Sequence, residues 1–445
     1  MFRRKITESL EKWANKEDRK LLVLRGARQV GKTTAVNEFG KQFDNYLYVN
    51  MERDANLKLF EETDDVHALL EMLFLNCNVK KKNGRTLLFI DEIQNSSKAV
   101  ALLRYFYEDS PEIFVIAAGS LLETMLDRHI SFPVGRVEYM AMHPCSFREY
   151  LWAVGEERFT DPIMDASLPS AFHDTMNGLF NNYALIGGMP EVVKTYAAKR
   201  DVLSLSEKYR QLMTSYKDDV EKYAQRSSQI NIIRYILENG WSFAGEVITL
   251  GNFAESSYKA RETGDAFRTM EKAMLLELVY PITNENIPIV PDLKRSPKLI
   301  WLDIGLVNYA SHIQKEYLYS NDLLDTWKGK SAEQVAAQEL ATLTDDFGQK
   351  RNFWVRAQKG ATSEIDLVYP YENNIIPIEI KSGHNAHLKS LHQYMIKAQH
   401  RLAIRIWSGK FSVDTVNDAS GKPFKLVNLP FYFMSAIPKI VEREI

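Results

Sequence analysis

Gly26-Ala27-Arg28-Gln29-Val30-Gly31-Lys32-Thr33 places two glycines around a four-residue loop, directly ahead of a lysine and a hydroxyl side chain. That spacing suits polyphosphate chemistry. The glycines let backbone N–H groups curl around phosphate oxygens, Lys32 sets an ammonium on the outer phosphates, and the Thr33 hydroxyl can ligate Mg²⁺. Thr34 completes the stretch expected to line a nucleotide, for which ATP with Mg²⁺ is the natural occupant. The apolar run "LLVL" enters the loop and helix-forming sequence leaves it, which is the strand–loop–helix setting the mechanism requires.

A second apolar run, "TLLFI", ends in Asp91-Glu92. A buried strand finishing in two acids can bring them to the phosphate loop, where Asp91 would hold Mg²⁺ and Glu92 would polarise an attacking water. The next strand, "EIFVIAAGS", ends at Ser120, which reads equally as a phosphate or water sensor and as the N-cap of the helix that follows. Arg136, in "VGRV", reads either as an arginine finger, in cis or across a subunit interface, or as an ordinary surface arginine.

Near the other end of the chain, "EIDLVYPYENNIIPIEIKSG" is two alternating strands around a Tyr-Glu-Asn-Asn turn. Asp366 and Glu379 can face each other across that hairpin, and the period of two puts Lys381 on the same face as Glu379. Two carboxylates so placed can share Mg²⁺, and an ammonium beside them can orient a water against phosphorus. Glu333 on the preceding helix is a further candidate metal ligand, and Gln393 a supporting group. The same residues would also make a solvated hairpin face carrying cross-strand ion pairs. His384, His387 and His392 lack the fixed spacing of a metal site and read as a polar loop.

The phosphate loop, "LLFIDEIQ", "AAGS", "VGRV", "MHPCSFREYL", "GGMPEVV" and "YKDDVEK" together resemble a group of prokaryotic AAA-type P-loop ATPases: ATP-binding proteins that carry a C-terminal domain of unknown function. The resemblance covers nearly the whole chain and implies a helical lid and a winged helix in the middle. Arg28 and Gln29 depart from many such loops in being long and polar. The final segment resembles the PD-(D/E)xK nucleases, with Asp366, Glu379 and Lys381 in the pattern's positions, although Ile365 stands where the leading proline would be.

The fold class expected is therefore α/β: an AAA-type core over residues 1–146, a helical lid over 147–225, a winged-helix-like region over 226–283, a strand and linker region over 284–330, and a restriction-endonuclease-like α/β domain over 331–445. Three helices running into a strand are read from "QINIIRYILENG", "LGNFAESS" and "ARETGDAFRTMEKAMLLELVYPI". The third carries Arg261, Arg268 and Lys272 but also Glu262, Asp265 and Glu271, which favours packing against protein over reading DNA.

With 56 basic and 58 acidic side chains the net charge is −2, so contact with nucleic acid would need a local patch. The chain's 445 residues, 45% of them hydrophobic, suffice for several cores. Only two cysteines, far apart, suit a reduced compartment. No apolar run approaches bilayer length, so a cytoplasmic protein without membrane contact is expected. The function expected is a Mg²⁺-dependent ATPase whose nucleotide state controls a nuclease-like domain acting on nucleic acid. The alternative is an ATP-dependent oligomeric switch or scaffold, assembling with itself or a protein partner, whose last domain is catalytically silent.

Overall fold

A computed structural model describes residues 2–119, 133, 135–224, 226–314, 330–357, 363–381 and 388–445. Five strands, β1 (Leu21–Arg25), β2 (Asn45–Asn50), β3 (Thr86–Asp91), β4 (Phe114–Gly119) and β5 (Val137–Ala141), form a parallel sheet in the order β2-β3-β4-β1-β5. The continuous apolar runs of β1, β3 and β4 are those of strands covered on both faces. Along β1, Leu22 and Leu24 pack into one core while Leu21 and Val23 pack into a second on the opposite face.

The first core takes in helices α1 (Ile6–Ala14) and α2 (Lys32–Gly40), and the second takes in α3 (Ser97–Asp109). Helices α4 (Phe147–Ala153), α5 (His173–Ile186) and α6 (Ser206–Asp218) extend the first core. Next come α7 (Ser227–Asn239) and α8 (Ala260–Lys272), which pack together. The helix expected between them is only a three-residue 3₁₀ turn, Phe253–Glu255. Asn252, Ala254 and Glu255 all take positive φ there, which α-helical hydrogen bonding cannot follow.

The second sheet has eight strands. It contains β6 (Leu276–Ile282), β7 (Lys298–Trp301), β8 (Asn352–Val355), β9 (Glu364–Tyr371), β10 (Asn374–Lys381), β11 (Leu402–Trp407), β12 (Ser412–Asn417) and β13 (Pro423–Pro430), in the order β12-β13-β11-β10-β9-β8-β6-β7. Helices α9 (Ile304–Ala310), α10 (Lys330–Ala341) and α11 (Lys389–Lys397) accompany it. From α10 to β11 the order is helix, three strands, helix, strand, as read from the sequence. The β9–β10 hairpin ladder runs from Asn374↔Tyr371 to Ile378↔Leu367 and stops one pair short of Asp366 and Glu379.

Strands β6 and β7 join this sheet through parallel pairing of β6 with β8, from Tyr280↔Asn352 to Ile282↔Trp354. Strand β7 is antiparallel to β6 on one side. On its other side it bonds to residues 245–248, through Gly245 N to Leu299 O, Leu299 N to Glu246 O and Ile248 N to Pro297 O, each 2.8 Å. Trp301 at its end stacks on Trp241 with ring centroids 3.9 Å apart.

Helix α10 joins the two halves through buried polar contacts. Gln338 Oε1 accepts from Ile304 N at 2.8 Å, and Glu339 Oε1 accepts from Tyr183 Oη at 2.6 Å and Phe147 N at 3.0 Å. Burial pushes the Glu339 carboxyl up to about 7. A carboxyl raised in the folded state contributes stability below its ordinary pKa near 4.5 and loses it as pH rises through about 7. Glu339→Gln should therefore gain on the parent chain, by on the order of 3 kcal/mol, between pH 4.5 and pH 7.5. Urea unfolding at both pH values checks this, and a pH-independent difference would refute it.

Candidate functional site

The phosphate loop leaves β1 at Gly26, where an added Cβ would sit 2.6 Å from Met142 O. Gly31, with φ +96°, turns the chain into α2 in a left-handed conformation that favours glycine. Lys32, the first residue of α2, is buried, and its Nζ donates to Gly26 O at 2.8 Å and Ala27 O at 2.9 Å. Burial pushes its pKa down to about 8 against the attraction of Glu92 and Asp91. The ammonium is thus under-solvated and held by neutral carbonyls that anionic phosphates can outcompete.

Asp91 ends β3 beside α2. Its Oδ2 accepts from Thr33 Oγ1 at 2.8 Å and from Tyr48 Oη at 3.3 Å, and its Oδ1 accepts from Glu92 N at 3.1 Å. A hydroxyl and a carboxylate in contact form a hard oxygen donor pair that fits Mg²⁺ alongside phosphate oxygens. Burial raises the Asp91 pKa against the Thr33 hydrogen bond. Glu92 follows with φ +51°, and its carboxylate accepts from Gln94 Nε2.

The two long side chains of the loop reach away from the phosphate position. Arg28 Nη1 donates to both Asp219 oxygens at 2.6 Å, and its Nη2 donates to Glu52 Oε1 at 3.2 Å. Gln29 Nε2 donates to Ser215 Oγ at 2.9 Å, and Tyr216 Oη donates to Arg28 O at 3.1 Å. The "YKDDVEK" stretch thereby grips the loop from α6. Val30 O accepts from Arg4 Nη1 at 2.8 Å, Arg4 Nε donates to Glu149 Oε1 at 2.7 Å, and Arg4 Nη2 donates to His143 O at 2.9 Å. Ala27 is buried and Thr34 is exposed on the first turn of α2.

Arg136 is not brought to this loop within its own chain. It precedes β5, where Leu21↔Val137 pairs the starts of β5 and β1, and its guanidinium meets Glu108 of α3 at 2.6 Å. The loop leaves the other end of β1, about 15 Å along the sheet. Ser120 lies outside the described residues, as do His384 and His387.

In the C-terminal half, Asp366, Glu379, Lys381 and Glu333 do converge. Asp366 Oδ2 accepts from Ile380 N at 2.7 Å, and Lys381 Nζ pairs with Glu379 Oε1 at 2.6 Å. Burial and the Asp366 carboxylate push Glu379 up to about 7, and the same two causes push Glu333 up to about 7. Gln393 lines a separate hollow with Arg356, Lys389 and His392. Unforeseen from sequence are Glu364 and Lys298. Lys298 Nζ lies 2.7 Å from Glu333 Oε2, 2.6 Å from Glu364 Oε1 and 3.9 Å from Asp366 Oδ1. Burial alone would lower its pKa, but Glu333, Asp366 and Glu364 together raise it. Among the described residues no three acid, imidazole or thiol groups are arranged to hold a metal.

With this geometry in view, comparison with known proteins places the loop and its acids. Residues 18–151 match the AAA domain family. The parallel sheet, the phosphate loop and Asp91-Glu92 all lie within that match. Residues 177–317 and 328–429 match two domains of unknown function, DUF8612 and DUF4143. An uncharacterized protein of Methanocaldococcus jannaschii, MJ1637, is 23% identical over 406 residues, covering 85% of this chain and 79% of that one. Among solved structures, the Walker-type ATPase PABY2304 of Pyrococcus abyssi aligns with a TM-score of 0.44 and 14% identity over 70% of this chain and 96% of that one. AMPPCP-bound DnaA from Aquifex aeolicus aligns with a TM-score of 0.26 and 11% identity over 60% of this chain and 86% of that one. No helix among the described residues is long and apolar enough to cross a membrane.

Proposed function

We propose that the chain is a Mg²⁺-dependent ATPase whose nucleotide state governs a nuclease-like site in its C-terminal half. The observation that carries this reading is a run of two neighbouring residues between the sites. Arg4 bonds Val30 O of the phosphate loop, and Lys5 Nζ donates to Thr342 O at 2.6 Å, just past α10. Nine residues back from Thr342, about 14 Å by helical rise, Glu333 stands on α10 in the acidic cluster. Shifts of the loop on filling have a short rigid route to Glu333.

In this reading Lys32 would leave its carbonyls for the phosphates, Thr33 and Asp91 would hold the metal, and Glu92 would orient a water. Bound Mg²⁺ would supply neutralisation of charge on the phosphate oxygens. Arg136, on the face remote from its own loop, would act only in a neighbouring copy. At the other site Asp366 and Glu379 would be the metal-facing acids and Lys381 the group beside the attacking water. We place the protein in the cytoplasm, where its free Cys77 and Cys145 would stay reduced.

The test is digestion of single- and double-stranded DNA and RNA by the full chain with ATP and Mg²⁺ or Mn²⁺. Asp366→Ala should lower cleavage at least about hundredfold. Cleavage equal in the two proteins, or absent under every condition, removes the nuclease half. The packing of an ammonium among the acids favours a second reading, an ATP-dependent switch or scaffold with a silent C-terminal site. Assembly with ATP on size exclusion, abolished by Lys32→Ala, together with intact nucleic acid would select it.

A further inference from the structure

We propose that Lys298 is a lock, supplied by the middle of the chain, that keeps the C-terminal acidic cluster closed to divalent cations for as long as its ammonium stays among the acids. The inference rests on reading that cluster as a metal-dependent site, and it begins from a misfit. A lysine ammonium has three protons to donate. Lys298 Nζ meets three acceptors, Glu333 Oε2 at 2.7 Å, Glu364 Oε1 at 2.6 Å and the backbone Asp366 O at 3.3 Å. Its ammonium is therefore held within the cluster by hydrogen bonds to Glu333 and Asp366 O and an ion pair with Glu364, and the Phe353 ring covers it at 4.8 Å.

Magnesium needs about six oxygens near 2.1 Å. Here Asp366 Oδ2 already takes Ile380 N and Glu379 Oε1 already takes Lys381. A divalent ion and the Lys298 ammonium would compete for one position, since like charges at such contact repel strongly in a desolvated site. Glu379 Oε2 is buried and has no hydrogen-bond partner among the described residues, a cost that an incoming cation would relieve.

The lock and the acids belong to different parts of the chain. Lys298 falls within the 177–317 match, whereas Glu333, Glu364, Asp366 and Glu379 fall within the 328–429 match. Strand β7 is held by β6 and by residues 245–248 on its two edges, and Gln334 of α10 bonds both N and O of its Trp301, so Lys298 is fixed against the acids within one continuous sheet. Opening the site thus requires the Lys298 ammonium to leave the cluster and the acid side chains to regroup around the ion.

The experiment measures Mn²⁺ binding to the full chain without nucleotide, by electron paramagnetic resonance and calorimetry. Lys298→Met should gain one Mn²⁺ at least about tenfold more tightly than any site of the parent chain, and Lys298→Met with Asp366→Asn should lose it. Lys298→Gln, which keeps hydrogen bonding without charge, serves if the methionine variant fails to fold. Lys298→Arg, which keeps the charge, should gain nothing. A parent chain that already binds one Mn²⁺ lost on Asp366→Asn alone, or folded neutral variants that gain no site, would overturn the lock. Because the readout is occupancy, gain of Mn²⁺ without any nucleic-acid cleavage would sink the nuclease reading and leave the lock standing.

Discussion

Glu92→Gln should bind ATP about as tightly as the parent chain and hydrolyse it about 10²–10⁴-fold more slowly. The amide keeps the size and the contact with Gln94 but cannot accept a proton from water or polarise it as a carboxylate does. Binding should survive because the nucleotide is gripped elsewhere, by the loop amides, Lys32 and the Thr33–Asp91 pair. Lys32→Ala should show the complementary pattern. Removing a desolvated ammonium from the phosphates costs about 1.5–3 kcal/mol in binding, or roughly 10- to 150-fold. Phosphate release and titration with a fluorescent ATP analogue separate the two effects. Glu92→Gln turning over within a few-fold of the parent chain would dismiss Glu92 as the water-polarising group.

Arg4→Met should destabilise the fold by about 3–5 kcal/mol. Arg4 and Glu149 are 6% and 5% exposed, and the pair is complete: Glu149 also accepts Lys5 N and Ser146 N, each at 2.8 Å. Methionine fills the volume but strands the Glu149 charge and leaves Val30 O and His143 O without their donor. Arg4→Lys should recover only part of the loss, because a single ammonium cannot span three acceptors as the guanidinium fork does. Urea unfolding measures both variants. A loss below about 1 kcal/mol for Arg4→Met would place the pair among solvent-screened surface bridges.

The parts of the molecule readable in the sequence are those in which neighbours in space are neighbours in the chain. The phosphate loop is eight consecutive residues, and β1, β3 and the β9–β10 hairpin announce themselves by unbroken or alternating apolar runs. What holds these pieces in place was hidden. Arg28 reaches Asp219 and Arg4 reaches Glu149 across intervals of 191 and 145 residues, which no local period encodes. Lys298 joins Glu333 across 35 residues, and in the sequence it is one of many lysines near a proline. Periodicity also marks β6 as a strand without naming its neighbour, so its pairing with β8 came only with the structure. "LGNFAESS" reads as the second of three helices, but the left-handed Asn252, Ala254 and Glu255 make it a turn.

The seamless pairing of β6 with β8 bears on how the C-terminal half is to be handled at the bench. A fragment cut to begin near Lys330 would leave β8 with a raw, unpartnered border, an invitation to self-adhesion. It would also strip the acids of Lys298, creating an artificial magnet for divalent ions. Metal uptake or clumping by such a fragment would report the scissors and not the intact polypeptide.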